Sequence, residues 1–345
     1  MKVAIVGKFY TEAFGLHIEE ALKEMGHEVL RLDPQVNFAA LKPLGKRMRQ
    51  INKTLYQELF GKLPPVRRLK SKSIYKQLRG SKADLTLVLH DFLTREEVQT
   101  IKSITKSPVA IWFPDAISNF QKSMFFYADY DFLFFKDRYI VNQLREELRL
   151  NVYYLPQCCN PNKHKPAELN KEDRAVYGCD ITNAGNIYPS RAALLSQLIK
   201  DYKIKIWGNL PAIWLQMPEL NSIVMRRNVF NEEKAKAFGA AKVVLNNLHP
   251  AEINGLNKRT FEISACGGLQ ITNYKECTKE HFEIGKEIIC YKDFNDLKEK
   301  LDYFIDDRNE PERQQIISAG RQRVLKEHTY KHRLQQMFEL IFKLN

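Results

Sequence analysis

No stretch of the 345-residue chain approaches the ~18–20 uninterrupted apolar residues that a bilayer-spanning helix needs. The opening Met1-Lys-Val-Ala-Ile-Val-Gly7 holds an apolar run too short for a secretory leader, and no small-residue cleavage site follows it. A cytoplasmic protein without a transmembrane segment is therefore expected. Cysteine is sparse: Cys158, Cys159, Cys179, Cys266, Cys277 and Cys290 form neither a CxxC pair nor a mixed Cys/His spacing. That excludes the common zinc motifs and suits a reducing compartment. The neighbours Cys158 and Cys159 read either as a redox pair or as buried thiols, burial being the commoner fate of a free cysteine. There is no internal repeat and no low-complexity tract. The first strand-to-helix turn has Gly7 and Gly15 but not G-x-G-x-x-G, so no dinucleotide fingerprint is present.

What the chain does contain is apolar and basic. A hydrophobic content of 44% with 11% aromatics calls for large packed cores rather than disorder. The length exceeds what one core usually organises, which points to two domains of roughly 150–170 residues. The net charge of +13 is concentrated: Lys42 to Lys82 carries thirteen lysines and arginines against the single acid Glu58, +12 in all. Such a run is either a solvated helical face or the footprint of an anionic partner, since 41 residues with almost no counter-charge repel one another. Arg67, Arg68, Lys70 and Lys72 are the candidate polyanion contacts, with nucleic acid, a teichoic-type polymer or a lipid surface as possible partners. Tyr56, Phe60 and Tyr75 lie among these cations, where aromatics either stack on bases or belong to the core.

Short apolar runs alternate with helical periods along the first half. Strands are expected at Lys2–Val6, Glu28–Leu32, Asp84–Leu89, Val109–Phe113, Asp131–Phe135 and Asn151–Leu155, with an amphipathic helix from Leu16 to Met25 stopped by Gly26. Continuous apolar strands separated by helices indicate a parallel sheet covered on both faces. Three prolines between Pro156 and Pro166 read as a connector. The alternation then restarts with strands at Asp180–Ala184, Lys203–Trp207, Lys242–Asn246 and Leu269–Thr272. Helices are expected at Arg191–Ile199, Glu232–Ala240 and Arg259–Ala265, and across the tail from Pro311 to Phe342. The domains expected are 1–157, carrying a basic insertion at 42–82; 158–325; and a terminal helix at 326–345. In such folds ligands sit at the carboxyl ends of the strands.

Two segments there bear on chemistry. In Ala184-Gly-Asn-Ile-Tyr-Pro-Ser-Arg191 a strand runs into Gly185, and a helix follows with Arg191 in its first turn. A helix start favours anions, so a cation there suggests something negative nearby, such as a diphosphate that Gly185 allows to approach. A surface arginine is the plainer reading. In Asn254-Gly-Leu-Asn-Lys-Arg-Thr-Phe-Glu262-Ile-Ser-Ala-Cys-Gly-Gly268, Arg259 and Glu262 share a helix face. Lys258 and Arg259 again sit at a helix start. Glu262 is placed to accept ribose hydroxyls, or else forms an ordinary ion pair worth only ~0.2–0.5 kcal/mol.

Taken together, Trp112-Phe-Pro-Asp115, Leu155-Pro-Gln157, Asp180-Ile with Gly185, Trp207-Gly208, Val244-Leu-Asn246, Asn257-Lys-Arg-Thr-Phe-Glu-Ile-Ser-Ala-Cys-Gly-Gly268 and His328-Thr-Tyr330 with Arg333 resemble the CgeB-like spore-maturation glycosyltransferases. The resemblance implies an α/β GT-B fold of two facing Rossmann-like domains, with a terminal helix crossing back to the first. It implies a uridine-linked donor nucleotide on the second domain, with Gly7, Gly185, Arg191, Gly208, Asn254, Asn257, Lys258, Arg259 and Glu262 as its candidate contacts. Asn254 stands where related retaining transferases have a first glutamate, eight residues before Glu262. A looser resemblance, to phage glucosyltransferases acting on hydroxymethylcytosine in DNA, rests on Arg259 and Glu262 and on Asp115 after a strand.

The reaction so implied moves a sugar from a nucleoside diphosphate to a hydroxyl acceptor, with the arginines stabilising the departing diphosphate. No cofactor is expected, and no metal, the arginines taking its place at the diphosphate and no Asp-x-Asp motif being expected in the chain. Asp115, or His90 with Asp91 at another strand end, is the expected general base. Epimerisation of a nucleotide sugar and non-catalytic binding of a polyanion are the alternatives from other classes.

Overall fold

The computed structural model describes residues 1–33, 64–91 (side chains from 71), 93–117, 124–209 and 218–343. Most of the basic insertion, with the side chains of Arg67, Arg68 and Lys70, lies outside the described residues. The chain divides into two compact units. One is Met1–Pro114 with Phe120–Phe134 and Arg149–Tyr153; the other is Asp115–Asn119, Phe135–Leu148 and Tyr154–Asn345.

The first unit is built on six strands: β1 (Lys2–Val6), β2 (Glu28–Leu32), β3 (Leu85–Val88), β4 (Val109–Phe113), β5 (Phe132–Phe135) and β6 (Val152–Tyr154), in the order β2-β1-β3-β4-β5-β6. The pairings of β1 with β2 and β3, and of β3 with β4, are parallel. Every residue of Leu-Thr-Leu-Val in β3 and Val-Ala-Ile-Trp-Phe in β4 is buried, as strands covered on both faces require. Helices α1 (Phe14–Glu24), α2 (Pro64–Arg79) and α3 (Arg95–Thr105) make the crossovers. Thr94 and Glu97 close a reciprocal capping box at the start of α3. The proline pair at 64–65 opens α2, where fixed φ and the missing N–H cost nothing. Helix α4 (Arg138–Leu148) belongs to the second unit.

The second sheet has the order β11-β10-β9-β7-β8, all parallel, from β7 (Cys179–Ala184), β8 (Ile204–Trp207), β9 (Ala241–Asn246), β10 (Gln270–Asn273) and β11 (Ile289–Tyr291). Its helices are α5 (Lys171–Tyr177), α6 (Pro189–Leu198), α7 (Asn231–Ala240), α8 (Lys258–Cys266), α9 (Phe294–Ile305), α10 (Glu310–Glu327) and α11 (Tyr330–Phe342). Val243 and Leu245 of β9 pack on one side with Leu195 and Leu297, while Val244 between them packs on the other with Phe238 and Ile263. Period-two alternation thus sends successive residues into two cores.

Three elements, α5, β11 and α9, exceed the sequence reading; the first and second are short, seven and three residues. The tail is also not one helix. It breaks at His328-Thr329, where Cys159 N–H donates to the His328 carbonyl at 2.9 Å and Tyr330 N–H to the Cys159 carbonyl at 3.2 Å. Thr329 N–H turns to His332 Nδ1 at 3.3 Å. The connector therefore takes hydrogen bonds that a continuous helix would keep for itself.

Arg333 holds that junction. Its guanidinium, 1% exposed, donates to the carbonyls of Pro156, Gln157 and Glu327 and to His328 Nδ1 at 2.6 Å. With Nδ1 accepting, the His328 proton sits on Nε2, 3.1 Å from the His281 carbonyl. His281 in turn meets the Tyr154 hydroxyl at 2.7 Å. Burial first, then His328, Arg333 and Arg138, push His281 down to about 3. Burial and Arg333 push His328 down to about 4, against the opposing bond to the His281 carbonyl. Between their ordinary 6.5 and these values, the unfolded chain binds protons that the folded one refuses. Stability should therefore fall as pH drops below 6.5, by up to roughly 1.4 kcal/mol per pH unit per histidine. Urea denaturation at pH 7.5 and 5 measures this, and His328→Gln should show the shallower pH dependence.

Candidate functional site

The carboxyl ends of the second sheet converge on the start of α8. Strand β7 ends at Ala184, and Gly185 follows with φ of +131°, a conformation closed to side chains. Strand β8 ends at Trp207; a Cβ on the following Gly208 would lie 2.5 Å from the Gly185 carbonyl oxygen. The two glycines let bare backbone line this edge.

Asn246, the last residue of β9, sets the position of α8. Its carboxamide donates to Asn257 Oδ1 at 3.2 Å, Thr260 Oγ1 at 3.1 Å and Gln270 Oε1 at 3.3 Å, and accepts from Asn257 Nδ2 at 3.1 Å. Asn257 caps the helix by accepting the Thr260 N–H at 3.0 Å. The helix ends at Gly267, φ +79°, in the left-handed form that favours glycine.

One turn into α8 lies Glu262, 0% exposed and ringed by cations. Its carboxylate is 2.8 Å from Arg259 Nη1, 3.1 Å from Lys258 Nζ, 3.4 Å from Lys234 Nζ and 3.4 Å from His164 Nε2. Burial alone would raise its pKa, but Lys234, Lys258, Arg259 and His164 together outweigh burial and hold it well below the usual carboxylate range. Three permanent cations thus face one carboxylate, beside the positive end of a helix. Lys234 is buried, whereas the side chains of Lys258 and Arg259 keep 28% and 22% exposure. A Cβ on Gly185 would lie 3.4 Å from Arg259 Nη2, which places that guanidinium against the glycine edge. The arrangement is a partly exposed cluster of cations whose charge suits an anion.

Arg191 is differently employed. It is buried, and it donates to Asn247 Oδ1 at 2.8 Å, the Asn186 carbonyl at 2.8 Å, the Tyr188 hydroxyl at 3.1 Å and the Asn247 carbonyl at 3.1 Å. Its guanidinium also lies over the Tyr188 ring, 4.5 Å from the centroid. These neutral acceptors answer the puzzle of a cation at a helix start: Arg191 ties the loop after β7 to the end of β9. Asn254 is likewise turned inward, its Oδ1 accepting the Cys277 N–H at 2.9 Å. Its own N–H, with that of Ile253, donates to Asp137 Oδ2 at 2.9 and 3.0 Å.

In the first unit, Gly7 donates its N–H to the Leu32 carbonyl at 3.1 Å, and a Cβ there would sit 3.0 Å from Leu89 Cδ1, so packing by itself accounts for the glycine. His90 and Asp91 follow β3 at its carboxyl end. The His90 ring stands edge-on to Phe113, centroids 6.3 Å apart, and Asp91 Oδ2 accepts the Met124 N–H at 2.8 Å. Asp115 is exposed just past β4. Lys72 is exposed on α2. One Asp-x-Asp does occur, a correction to the expectation of none: Asp129-Tyr130-Asp131. It sits at the amino end of β5, with Asp131 on Lys102 at 2.8 Å and on the Val109 N–H at 2.8 Å. That is the end of the strand opposite to the one where ligands bind in such sheets.

His164 and Lys234 escaped the sequence reading. A histidine in a proline-rich connector and one lysine in a helix carry no pattern that joins them to residue 262.

Comparison with known proteins bears on the fold. Residues 191–339 match the family model described as glycosyl transferase-like. Among curated proteins, the spore protein CgeB of Bacillus subtilis (strain 168) is 27% identical over 187 residues, 49% of this chain and 55% of that protein. The match thus spans about half the length of that relative. Among solved structures, Anabaena HepE in complex with UDP and glucose aligns over 100% of both chains at 10% identity and a TM-score of 0.63. The sucrose-phosphate synthase of Thermosynechococcus elongatus aligns over 99% of this chain and 98% of that one, at 13% identity and a TM-score of 0.65. Two parallel-sheet α/β units with these neighbours define a GT-B fold.

The cation excess makes a direct prediction. Glu262→Gln removes the shared anion and should lower stability by about 3–5 kcal/mol. Millimolar pyrophosphate should restore part of that loss and should raise the melting temperature of the wild type as well. A wild type indifferent to pyrophosphate in thermal denaturation would remove the anion pocket.

Proposed function

With a GT-B fold and a glycosyl transferase-like second half in hand, we propose that the protein is a glycosyltransferase that takes a sugar from a nucleoside diphosphate, uridine-linked, and gives it to a hydroxyl acceptor. The observation that carries this reading is the cluster of Lys234, Lys258 and Arg259 around one carboxylate at the start of α8. The diphosphate of a donor supplies the missing negative charge, with Gly185 and Gly208 leaving backbone close to it. The neighbour HepE, crystallised with UDP and glucose, supports the choice of uridine. The likeness to CgeB supports a place among CgeB-like transferases with a cell-surface or spore-coat acceptor.

As the bond from the anomeric carbon to the diphosphate oxygen breaks, negative charge grows on the leaving group. Lys258 and Arg259 stabilise it there without reorganising solvent. Glu262 keeps both side chains oriented before the donor arrives. His90 or Asp115 removes the acceptor proton; each follows the carboxyl end of a strand of the first sheet.

Calorimetry tests the donor site. Arg259→Gln and Lys258→Gln should each weaken UDP binding by about ten- to a hundredfold, the worth of a charge-assisted hydrogen bond. If UDP fails to bind the wild type, or binds both variants equally well, the donor reading is lost. Turnover is expected to be independent of metal, because cations of the chain face the diphosphate. A rate abolished by chelator and restored by magnesium or manganese would reverse that expectation.

A further inference from the structure

Helix α2 bears a line of cations that the transferase site does not use. Lys72, Lys76 and Arg79, spaced four and three residues apart, fall on one stripe and are all exposed. Lys82, also exposed, follows just beyond the helix. None of the four makes an ion pair among the described residues. The opposite face is the packed one: Ser71, Ile74 and Leu78 are buried, and α2 lies against α3. Residues 64–79 contain no acid at all. The helix dipole favours Lys76 and Arg79 in the last turn but gives no reason for Lys72, nor for a face without a single carboxylate.

We propose that this stripe is a docking surface for a linear polyol phosphate, a phosphodiester chain bearing free hydroxyls, which is the acceptor of the transferase. The proposal rests on the transferase reading for its hydroxyls and on the stripe for its phosphates. Cations in line along a helix suit a row of backbone phosphates. A helix lying in a membrane would need apolar side chains outward, and here Ile74 and Leu78 point into the protein. Single-stranded nucleic acid would want exposed aromatics to stack on, and Tyr75, the one aromatic of the helix, is half-buried. Unmodified duplex DNA offers hydroxyls only at its ends. Helix α2 ends five residues before β3 begins, so its last turn lies at the amino end of that strand, away from His90 and Asp91. The stripe grips polymer remote from the reacting hydroxyl, and a short acceptor gains nothing from it.

The experiment compares wild type with the triple variant Lys72→Gln, Lys76→Gln, Arg79→Gln, whose substitutions lie on the solvent face and should leave the melting temperature unchanged. Binding of synthetic poly(glycerol phosphate) is followed from 50 to 300 mM salt, beside duplex DNA and vesicles containing anionic lipid. The wild type should bind the polyol phosphate with a steep salt dependence. The variant should lose roughly two to three units of log–log slope, one for each phosphate contact removed. Transfer should show a raised KM for the polymer, with UDP affinity and transfer to glycerol unchanged. Equal slopes for the two proteins, or variant-sensitive binding confined to DNA or vesicles, would overturn the proposal. Failure of UDP to bind the wild type would instead strike the transferase reading, and the polymer slopes would still decide the docking surface.

Discussion

A buried carboxylate that cannot be allowed to lose its partners organises the second unit. Glu262, wholly inaccessible, costs several kcal/mol to bury as an ion, and only the ring of Lys234, Lys258, Arg259 and His164 offsets this. Those partners come from the connector, from α7 and from α8 itself. The electrostatic demand of one residue therefore fixes three segments relative to one another. Three permanent cations around one carboxylate leave the cluster with net positive charge, the feature on which the proposed donor site rests.

Two further arginines show the same physics without the surplus. Arg191 and Arg333 are both buried, and each is satisfied by carbonyls and neutral side chains rather than by carboxylates. A guanidinium presents five donors in a fixed fork, which suits it to gather chain segments that pass near one another. Arg191 gathers the loops after β7 and β9; Arg333 gathers the connector and the break between the last two helices. Buried positive charge in this protein is thus of two kinds, gathered on a carboxylate around Glu262 and held by neutral acceptors at Arg191 and Arg333.

Much of this was legible in the residues. Strands such as Val109–Phe113 and Lys2–Val6 announce themselves because burial on both faces demands an unbroken apolar run. Gly185 and Gly208 follow strands, and Asn257 with Gly267 brackets α8 with the cap chemistry expected of a helix. Strand β11, only three residues long, has too little pattern to be read. The break at His328-Thr329 is invisible because the competing hydrogen bonds come from Cys159, 169 residues earlier in the chain.

By itself the sequence determined most of the strands and helices, where the positive charge concentrates, and that Arg259 and Glu262 share a face, for these follow from neighbours within a turn or a strand. Only the tertiary structure decided which charges meet. Arg191 and Arg259 look alike in sequence, each a cation in a first helical turn. Asn247 and the carbonyls around it take the donors of the first, while the second shares Glu262 with Lys258, Lys234 and His164. Coulomb energies and hydrogen bonds depend on distances of a few ångströms, and between residues far apart in sequence those distances are set by packing alone.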